Sequence, residues 1–147
     1  MQLIHGDCIG AMEQMPDGSV DLILTDPPYN IKVKRTKNWK ARTEEWDCIK
    51  DYPDFMMRWI VQAHRVLKPQ GVMYFFHNDM NQLPEIMERI RKETDFALIS
   101  FLIWDKGECR AQSWKNRDAK SHTALRSWFN TFEYFLHYVK SGASKTE

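Results

Sequence analysis

A short turn, Asp26-Pro27-Pro28-Tyr29, has the residue types needed to hold a planar amino group. Prolines lack a backbone N–H and have a fixed φ, so this turn presents carbonyl oxygens beside one carboxylate. Adenine N6 and cytosine N4 each carry two N–H donors and a lone pair delocalised into the ring. Hydrogen bonds to the Asp26 carboxylate and the Pro27 carbonyl would favour the pyramidal, nucleophilic nitrogen, and Tyr29 could stack on the base. The pattern predicts a catalytic turn of Asp26, Pro27, Pro28 and Tyr29 that acts on a base extruded from the duplex.

The position of this turn favours chemistry over a plain structural role. The same four residues could simply end a strand, because proline and aspartate are frequent in turns. However, the turn directly follows an apolar run, Val20–Thr25, that is typical of a buried strand. Ligands of open α/β sheets bind at the carboxyl ends of strands. His77 and Asn78 also follow a predicted strand and should lie on the same edge, although a histidine there is more often structural.

Two strand–helix–strand units are predicted to position the turn. The first contains a weak strand at residues 2–5, a short helix marked by Ile9, Met12 and Met15, and the strand Val20–Thr25. The second contains a helix that begins near Asp51 and ends before residues 68–71, followed by a strand at residues 72–76. Another helix begins at Pro84, and further strands are predicted at residues 96–104 and 131–140. This alternation indicates an α/β fold in one catalytic domain, residues 1–140, with a polar tail at residues 141–147.

The composition is that of a single globular domain. The chain has 147 residues, of which 43% are hydrophobic, and this is enough for a substantial core. No run of about 18 apolar residues and no signal-peptide pattern occurs, so we expect a cytoplasmic protein without membrane contact. Cys8, Cys48 and Cys109 are too widely spaced for a disulfide framework or a zinc site, and no metal is predicted.

Positive charge is concentrated in two predicted loops, although the net charge is only +1. Tryptophans at positions 39, 46, 114 and 128 are interleaved with these cations. Solubilising charge is the plainer explanation for either loop alone. Two basic loops with aromatic side chains fit a polyanion with stackable bases better. The predicted nucleic-acid-binding residues are Lys32, Lys34, Arg35, Lys37, Lys40, Arg42, Lys115 and Arg117.

Residues 4–8 and 20–30 closely resemble the opening of S-adenosylmethionine-dependent DNA amino-methyltransferases of the N6-adenine and N4-cytosine class. The likeness is to the permuted type, in which the catalytic motif precedes the cofactor motif. Residues 65–71, Trp104-Asp105-Lys106 and Phe132-Glu133-Tyr134 are similar to later segments of this family. The resemblance implies an incomplete Rossmann-like methyltransferase sheet of about five strands, mostly parallel with an antiparallel last strand.

The resemblance also implies a cofactor and its contacts. Gly6, Asp7 and Cys8 match the family motif that lines the adenine of S-adenosylmethionine, although Asp7 is equally interpretable as the N-cap of the short helix. Asp26, Pro27 and Tyr29 match the catalytic motif. An Asp-Pro-Pro-Tyr turn, rather than Ser-Pro-Pro-Tyr, favours adenine over cytosine as the target base.

The sequence departs from the family pattern on the cofactor side. Neither the Phe-x-Gly-x-Gly turn nor the His-Pro-Thr-x-Lys-Pro segment occurs among these residues, and Phe132 replaces a histidine common before Glu133. The family strand order, 3-2-1-4-5-7-6, then lacks strands 1 and 2. We therefore expect an exposed edge on the strand at residues 20–25. In an isolated monomer, the strand at residues 2–5 is predicted to pair directly with it; alternatively, a second chain supplies the missing half.

These features lead to one main function and two alternatives. The main hypothesis is a site-specific DNA methyltransferase, or its catalytic half, that methylates adenine N6 in DNA. The first alternative is a non-catalytic DNA-binding remnant that lacks the donor site. The second is an amino-methyltransferase with an RNA or protein acceptor, since such enzymes use related Pro-Pro-Tyr turns.

Overall fold

The computed structural model describes residues 3–30, 48–106 and 132–142. The described part contains three helices and four strands. The helices are α1 (Cys8–Glu13), α2 (Tyr52–Val66) and α3 (Leu83–Glu93), and the strands are β1 (Val20–Thr25), β2 (Leu67–His77), β3 (Phe96–Asp105) and β4 (Phe132–Lys140). The predicted helices and the strands after residue 19 are therefore confirmed, most of them within a few residues.

The four strands form one mixed sheet in the order β1-β2-β4-β3. β1 and β2 are parallel, and β4 is antiparallel to both of its neighbours, β2 and β3. Three strands therefore point in one direction and the last strand of the chain points the other way. This confirms the predicted α/β class and the incomplete, mostly parallel sheet with an antiparallel last strand, but the described sheet has four strands instead of about five.

The core lies between one face of the sheet and the helices. Met56, Ile60 and Ala63 of α2 are fully buried and pack with Met73 and Phe75 of β2 in one hydrophobic cluster. The spacing of the α2 residues places them on one face of the helix, as the sequence predicted. This packing fixes α2 beside the carboxyl end of β2, which is also the end where β1 leads into the Asp-Pro-Pro turn.

β2 begins earlier than predicted, because residues 68–71 do not separate it from α2. Val20 pairs with Leu67 and Leu22 pairs with Val72, so the β2 segment between these two pairs is longer and bulges out of the ladder. Gln70 takes a left-handed conformation, with φ of 66°, inside this bulge. Pro69 is tolerated there because a bulged residue donates no ladder hydrogen bond.

The predicted strand at residues 2–5 is wrong for the described residues 3–5, which belong to no strand and do not pair with β1. Leu3 is 92% exposed. α1 is anchored on α2 through buried Ile9, whereas residues 3–5, which precede α1, are exposed. So short a segment cannot offset the entropy of ordering it without a partner strand.

β1 is consequently an edge strand of the described sheet. This was predicted because the sequence lacks the family's strands 1 and 2. Leu22 and Leu24, which point away from the helices, are 54% and 63% exposed. An edge with apolar side chains and unpaired backbone groups is a template for another strand. One of the two edges of the described sheet, the β1 edge, therefore lies next to the turn.

Arg65 on α2 anchors the short helix α1. Its guanidinium donates to the carbonyl oxygens of Met12, at 2.6 Å, and Met15, at 2.9 Å, and it forms an ion pair with Asp17. These carbonyls lie at and just beyond the end of α1, where the last C=O groups of a helix lack their regular helical donors. The Met12 carbonyl also accepts from the Met15 N–H at 2.9 Å. One side chain therefore joins the end of α1 to α2.

Replacing Arg65 with alanine is expected to lower the free energy of unfolding by about 2 kcal/mol, since it removes charge-assisted bonds to half-buried carbonyls. Arg58→Ala, on the same helix but on its exposed side, is the matched control and should change stability by less than about 0.5 kcal/mol. Urea unfolding followed by circular dichroism measures both. Equal destabilisation by the two substitutions would contradict this role for Arg65.

Candidate functional site

The turn Asp26-Pro27-Pro28-Tyr29, called the acceptor turn below, lies at the carboxyl end of β1. Thr25 pairs with Phe75, so the turn emerges beside the end of β2 at the same edge of the sheet. Pro27 is buried, whereas the Asp26 side chain is exposed at the surface. The structure thus places the four predicted residues at the strand end, with Pro27 buried, Pro28 and Tyr29 half-buried and the Asp26 carboxylate accessible.

Tyr29 and Asp26 are joined across the acceptor turn by a hydrogen bond. The Tyr29 hydroxyl donates to Oδ1 of Asp26 at 2.5 Å. Burial raises the pKa of Tyr29, and the carboxylates of Asp26 and Glu133 raise it further. The phenol therefore stays protonated as a donor, and it fixes the orientation of the Asp26 carboxylate with Oδ2 as its second acceptor.

The Pro28 carbonyl is held by a side chain from α2. The Tyr52 hydroxyl donates to this oxygen at 2.7 Å and lies 3.0 Å from Nε2 of His77. On the other side of the imidazole, the backbone N–H of Asp79 donates to Nδ1 of His77 at 3.0 Å. Because Nδ1 accepts, the neutral ring carries its proton on Nε2, and this N–H donates to the Tyr52 oxygen.

His77 is fully buried, with no solvent-exposed surface. Burial lowers its pKa to about 4, against a smaller opposing effect of the Asp79 carboxylate. The imidazole is therefore neutral at pH 7, as the hydrogen-bond pattern requires. Its ring lies 5.6 Å from the Tyr29 ring and 5.8 Å from the Tyr52 ring, measured between centroids.

The end of the acceptor turn is held by two amide side chains. Gln82, the residue before α3, donates to the Tyr29 carbonyl at 3.2 Å and to the Asp79 carboxylate at 2.7 Å. Asn30 is buried and left-handed, with φ of 56°, a conformation that asparagine tolerates better than most residues. Its side chain accepts from the backbone N–H of Ile49 at 2.9 Å and donates to Gln82 at 3.4 Å.

These contacts distinguish the backbone carbonyl oxygens of the acceptor turn that accept a hydrogen bond from one that does not. The Pro28 and Tyr29 carbonyls each accept from a side chain, whereas no described residue donates to the Pro27 carbonyl. The Pro27 carbonyl and Oδ2 of Asp26 are the two acceptors that the sequence assigned to an amino group. The surroundings of the turn thus use the Pro28 and Tyr29 carbonyls and Oδ1 of Asp26.

A cavity of about 310 Å³ joins the turn to the start of α1. Its walls are mainly apolar, and they include Cys8 and Trp59 together with Asp26, Pro27 and Pro28. Of the three residues predicted to bind the cofactor, only Cys8 lines this cavity. Asp7 caps α1, because its Oδ2 accepts from the Gly10 N–H at 3.1 Å, and Gly6 is exposed in a bend.

Other predicted residues lie outside the described part of the chain. These are the nucleic-acid-binding residues Lys32, Lys34, Arg35, Lys37, Lys40, Arg42, Lys115 and Arg117, with the tryptophans between them and residues 143–147 of the tail. Over residues 3–30, 48–106 and 132–142, no helix is long and apolar enough to cross a membrane, and no group of side chains could hold a metal ion.

Sequence reasoning did not find the roles of Tyr52, His77, Gln82 and Asn30 around the acceptor turn. His77 was expected on the correct edge, and its buried position agrees with a structural residue. Tyr52 was predicted only to lie at the start of a helix, because Pro53 follows it. A polar residue just after a buried strand or just before a helix, on the edge where the turn lies, is the signal that could have pointed to them.

The sequence matches a known protein family and a curated relative. The family model described as DNA methylase, of the N6/N4 type, matches residues 20–147. A DNA adenine methyltransferase of Escherichia coli (strain K12), YhdJ, is 34% identical over 134 residues; the alignment covers 82% of this chain and 42% of the relative. The chain therefore spans less than half of the length of that relative.

Solved structures share the fold. TTHA0409 of Thermus thermophilus, described as a putative DNA modification methylase, superposes with a TM-score of 0.61 at 22% identity. The PvuII DNA methyltransferase, described as cytosine-N4-specific, gives a TM-score of 0.65 at 18% identity. Both superpositions cover 97% of this chain, but only 55% and 50% of those chains. M1.HpyAVI in complex with S-adenosylmethionine gives a TM-score of 0.58 at 21% identity and 56% coverage.

Proposed function

Because the chain belongs to the N6/N4 DNA methylase family, we propose that the acceptor turn binds the amino group of a DNA base for methylation. One observation carries the proposal: Oδ2 of Asp26 and the Pro27 carbonyl are left as acceptors at a strand end, while neighbouring side chains hold the Pro28 and Tyr29 carbonyls. Two acceptors on a rigid turn suit the two N–H donors of an exocyclic amine.

The chemistry follows from these two hydrogen bonds. Held by Asp26 and Pro27, the amino nitrogen becomes pyramidal, and its lone pair becomes available for in-line attack. S-adenosylmethionine supplies an electrophilic methyl group on a sulfonium. The new N–C bond forms as the C–S bond breaks, the thioether product leaves, and the nitrogen loses a proton toward Asp26. Tyr29 stacks on the extruded base.

Adenine N6 is the proposed target. The Asp-Pro-Pro-Tyr form of the turn favours adenine, and the Escherichia coli relative is named as an adenine methyltransferase. A solved relative of the same fold is described as cytosine-specific, so the fold alone does not choose between the two bases. Product analysis that found N4-methylcytosine and no N6-methyladenine would overturn this choice.

The rest of the cofactor site is proposed to lie on polypeptide outside these 147 residues, such as a second chain. Gly6, Asp7 and Cys8 would contact the adenine of S-adenosylmethionine, but this sequence contains no Phe-x-Gly-x-Gly turn. The exposed edge of β1 lies beside the acceptor turn, where a further parallel strand would extend the sheet. The relatives and solved structures, about twice as long, have enough additional chain to supply it.

Calorimetric titration of S-adenosylmethionine tests whether the cofactor site needs polypeptide outside these residues. The 147-residue chain alone is expected to show no binding below millimolar concentration. A chimera in which the chain replaces the matched part of the Escherichia coli relative should bind the cofactor in the micromolar range. Tight binding by the chain alone would contradict the need for polypeptide outside these residues. A folded chimera that binds DNA but no cofactor would instead favour a non-catalytic, DNA-binding role.

The basic segment at residues 31–43 is proposed to contact DNA phosphates. Replacing Lys34, Arg35 and Lys37 together with glutamine should weaken binding and lower the slope of log affinity against log salt by about 2 to 3. The control replaces Lys68, Arg91 and Lys92, three cations that already pair with acidic side chains. Fluorescence anisotropy from about 50 to about 200 mM salt measures both variants. Equal slopes for the two would argue against a DNA contact in this segment.

A further inference from the structure

The acceptor turn has one soft backbone torsion at its centre. Proline fixes φ, and the peptide bond is planar, so the conformation of Pro28 depends on ψ alone. This torsion sets both the direction of the Pro28 carbonyl and the path by which the chain continues to Tyr29. A hydrogen bond that holds the Pro28 carbonyl therefore also determines the position of the Tyr29 ring relative to Asp26.

A chain of hydrogen bonds ends on this carbonyl. The Asp79 N–H donates to Nδ1 of His77, Nε2–H of His77 donates to the Tyr52 oxygen, and the Tyr52 hydroxyl donates to the Pro28 carbonyl. The backbone N–H at its start can only donate, so the direction of each of these bonds is determined. Hydrogen bonds arranged in series in a buried place polarise and strengthen one another.

The buried imidazole of His77 also contacts Tyr29, the residue whose position depends on ψ of Pro28. The Tyr29 and Tyr52 rings lie at similar distances from His77, 5.6 and 5.8 Å between centroids. The hydroxyl of Tyr29 then meets Oδ1 of Asp26 at 2.5 Å. A displaced Pro28 carbonyl would therefore move the Tyr29 ring and release one oxygen of the Asp26 carboxylate.

We propose that Tyr52 and His77 are positioning residues of the acceptor turn, which fix ψ of Pro28 and thereby the arrangement of Tyr29 and Asp26. They touch neither the base nor the cofactor and act only through the turn. The inference rests on the proposed function, because the arrangement matters only if the turn accepts an amino group. The hydrogen bond to Pro28 itself can be tested independently of that function.

A single NMR resonance reports on this hydrogen bond. The dipeptide Pro-Tyr occurs once in the sequence, at Pro28-Tyr29. Protein labelled with ¹³C at proline carbonyls and ¹⁵N at tyrosine amides therefore gives one carbonyl–amide correlation, from Pro28. Tyr52→Phe removes the hydroxyl that donates to this carbonyl and is expected to shift the carbonyl resonance upfield. Tyr74→Phe is the control, since Tyr74 stacks on Phe135 in the sheet, and it should leave the resonance in place.

Substitutions of His77 test the same hydrogen bond from its other end. His77→Gln keeps an N–H donor and should preserve the resonance, whereas His77→Leu should move it toward the Tyr52→Phe position. These variants also keep the test decisive if Tyr52→Phe does not fold. An unchanged Pro28 resonance in folded Tyr52→Phe, or in folded His77→Leu, would overturn the proposal.

A binding measurement then separates this proposal from the proposed function. The probe is a short oligothymidylate with one central adenine, compared with the same strand carrying purine, which lacks the 6-amino group. Tyr52→Phe is expected to reduce the preference for adenine about tenfold. A full preference in Tyr52→Phe would refute the positioning role. No preference in the unsubstituted chain, together with a shifted Pro28 resonance in Tyr52→Phe, would refute the proposed function and leave the hydrogen bond intact.

Discussion

Replacing Asp26 with alanine is expected to reduce methyl transfer by about 10²- to 10⁴-fold, the range found when a group that acts directly on the reacting atoms is removed. The carboxylate is both an acceptor for the amino group and the nearest site for the released proton. Asp26 is exposed and Pro27 carries no N–H, so the substitution should leave the fold and the backbone of the turn unchanged.

The measurement uses the chimera with the Escherichia coli relative, tritiated S-adenosylmethionine and duplex DNA. Asp21→Ala is the matched control, because Asp21 is an exposed carboxylate of β1 that forms a surface ion pair with Lys68. It should retain full activity. Affinity for duplex DNA that lacks the target adenine should be unchanged in both variants, since the phosphate contacts are assigned to the basic segment at residues 31–43. Methyl transfer at the unsubstituted rate by Asp26→Ala would remove Asp26 from the reaction.

Lowering the pH from 6.5 to 4 is expected to reduce the free energy of unfolding by about 3 kcal/mol through His77 alone. The pKa of His77 falls from its ordinary value of 6.5 to about 4 in the folded protein because the ring is buried. Between these two values the unfolded chain binds a proton that the folded protein does not. Stability contributed by neutral His77 is therefore complete above pH 6.5 and declines as the pH falls toward 4.

The groups around the imidazole are Tyr52, Tyr29 and Asp79. The Asp79 carboxylate partly stabilises the imidazolium, and Tyr29, whose pKa is raised by burial, stays neutral throughout this pH range. His77→Gln is the comparison, because glutamine keeps a donor and does not titrate. The other histidines are present in both proteins, so they cancel from the difference. Denaturant unfolding at several pH values should show a smaller pH dependence for His77→Gln; identical curves would contradict the account.

The fold was largely predictable, since periodicity reports on burial. The spacing of Met56, Ile60 and Ala63 identified the buried face of α2. The apolar run Val20–Thr25 identified β1, although none of its residues is buried in the described structure, and the turn at residues 26–29 was correctly placed at a strand end. The incorrect prediction concerns the pairing of one strand. Residues 3–5 were expected to form a strand because the local pattern allows one, but a strand needs a partner, and these exposed residues pair with no described strand.

The supports of the site could not be predicted for a related reason. The contact of Tyr52 with the Pro28 carbonyl joins residues 24 positions apart, and a side chain bonded to a backbone oxygen leaves no repeating signal in the sequence. The same holds for Gln82 and the Tyr29 carbonyl, 53 positions apart. Motif residues can be recognised by type, whereas the residues that orient them are defined only once the elements are packed.

The most direct test of the acceptor turn needs neither a cofactor nor a second polypeptide. Fluorescence anisotropy compares binding of the chain to a short oligothymidylate with one adenine and to the same strand with purine in that position. Hydrogen bonds to a carboxylate and a carbonyl predict about tenfold or more tighter binding of the adenine strand, and loss of this preference in Asp26→Ala. Equal affinity of the unsubstituted chain for the two strands would contradict the assignment of the turn as an amine-binding site.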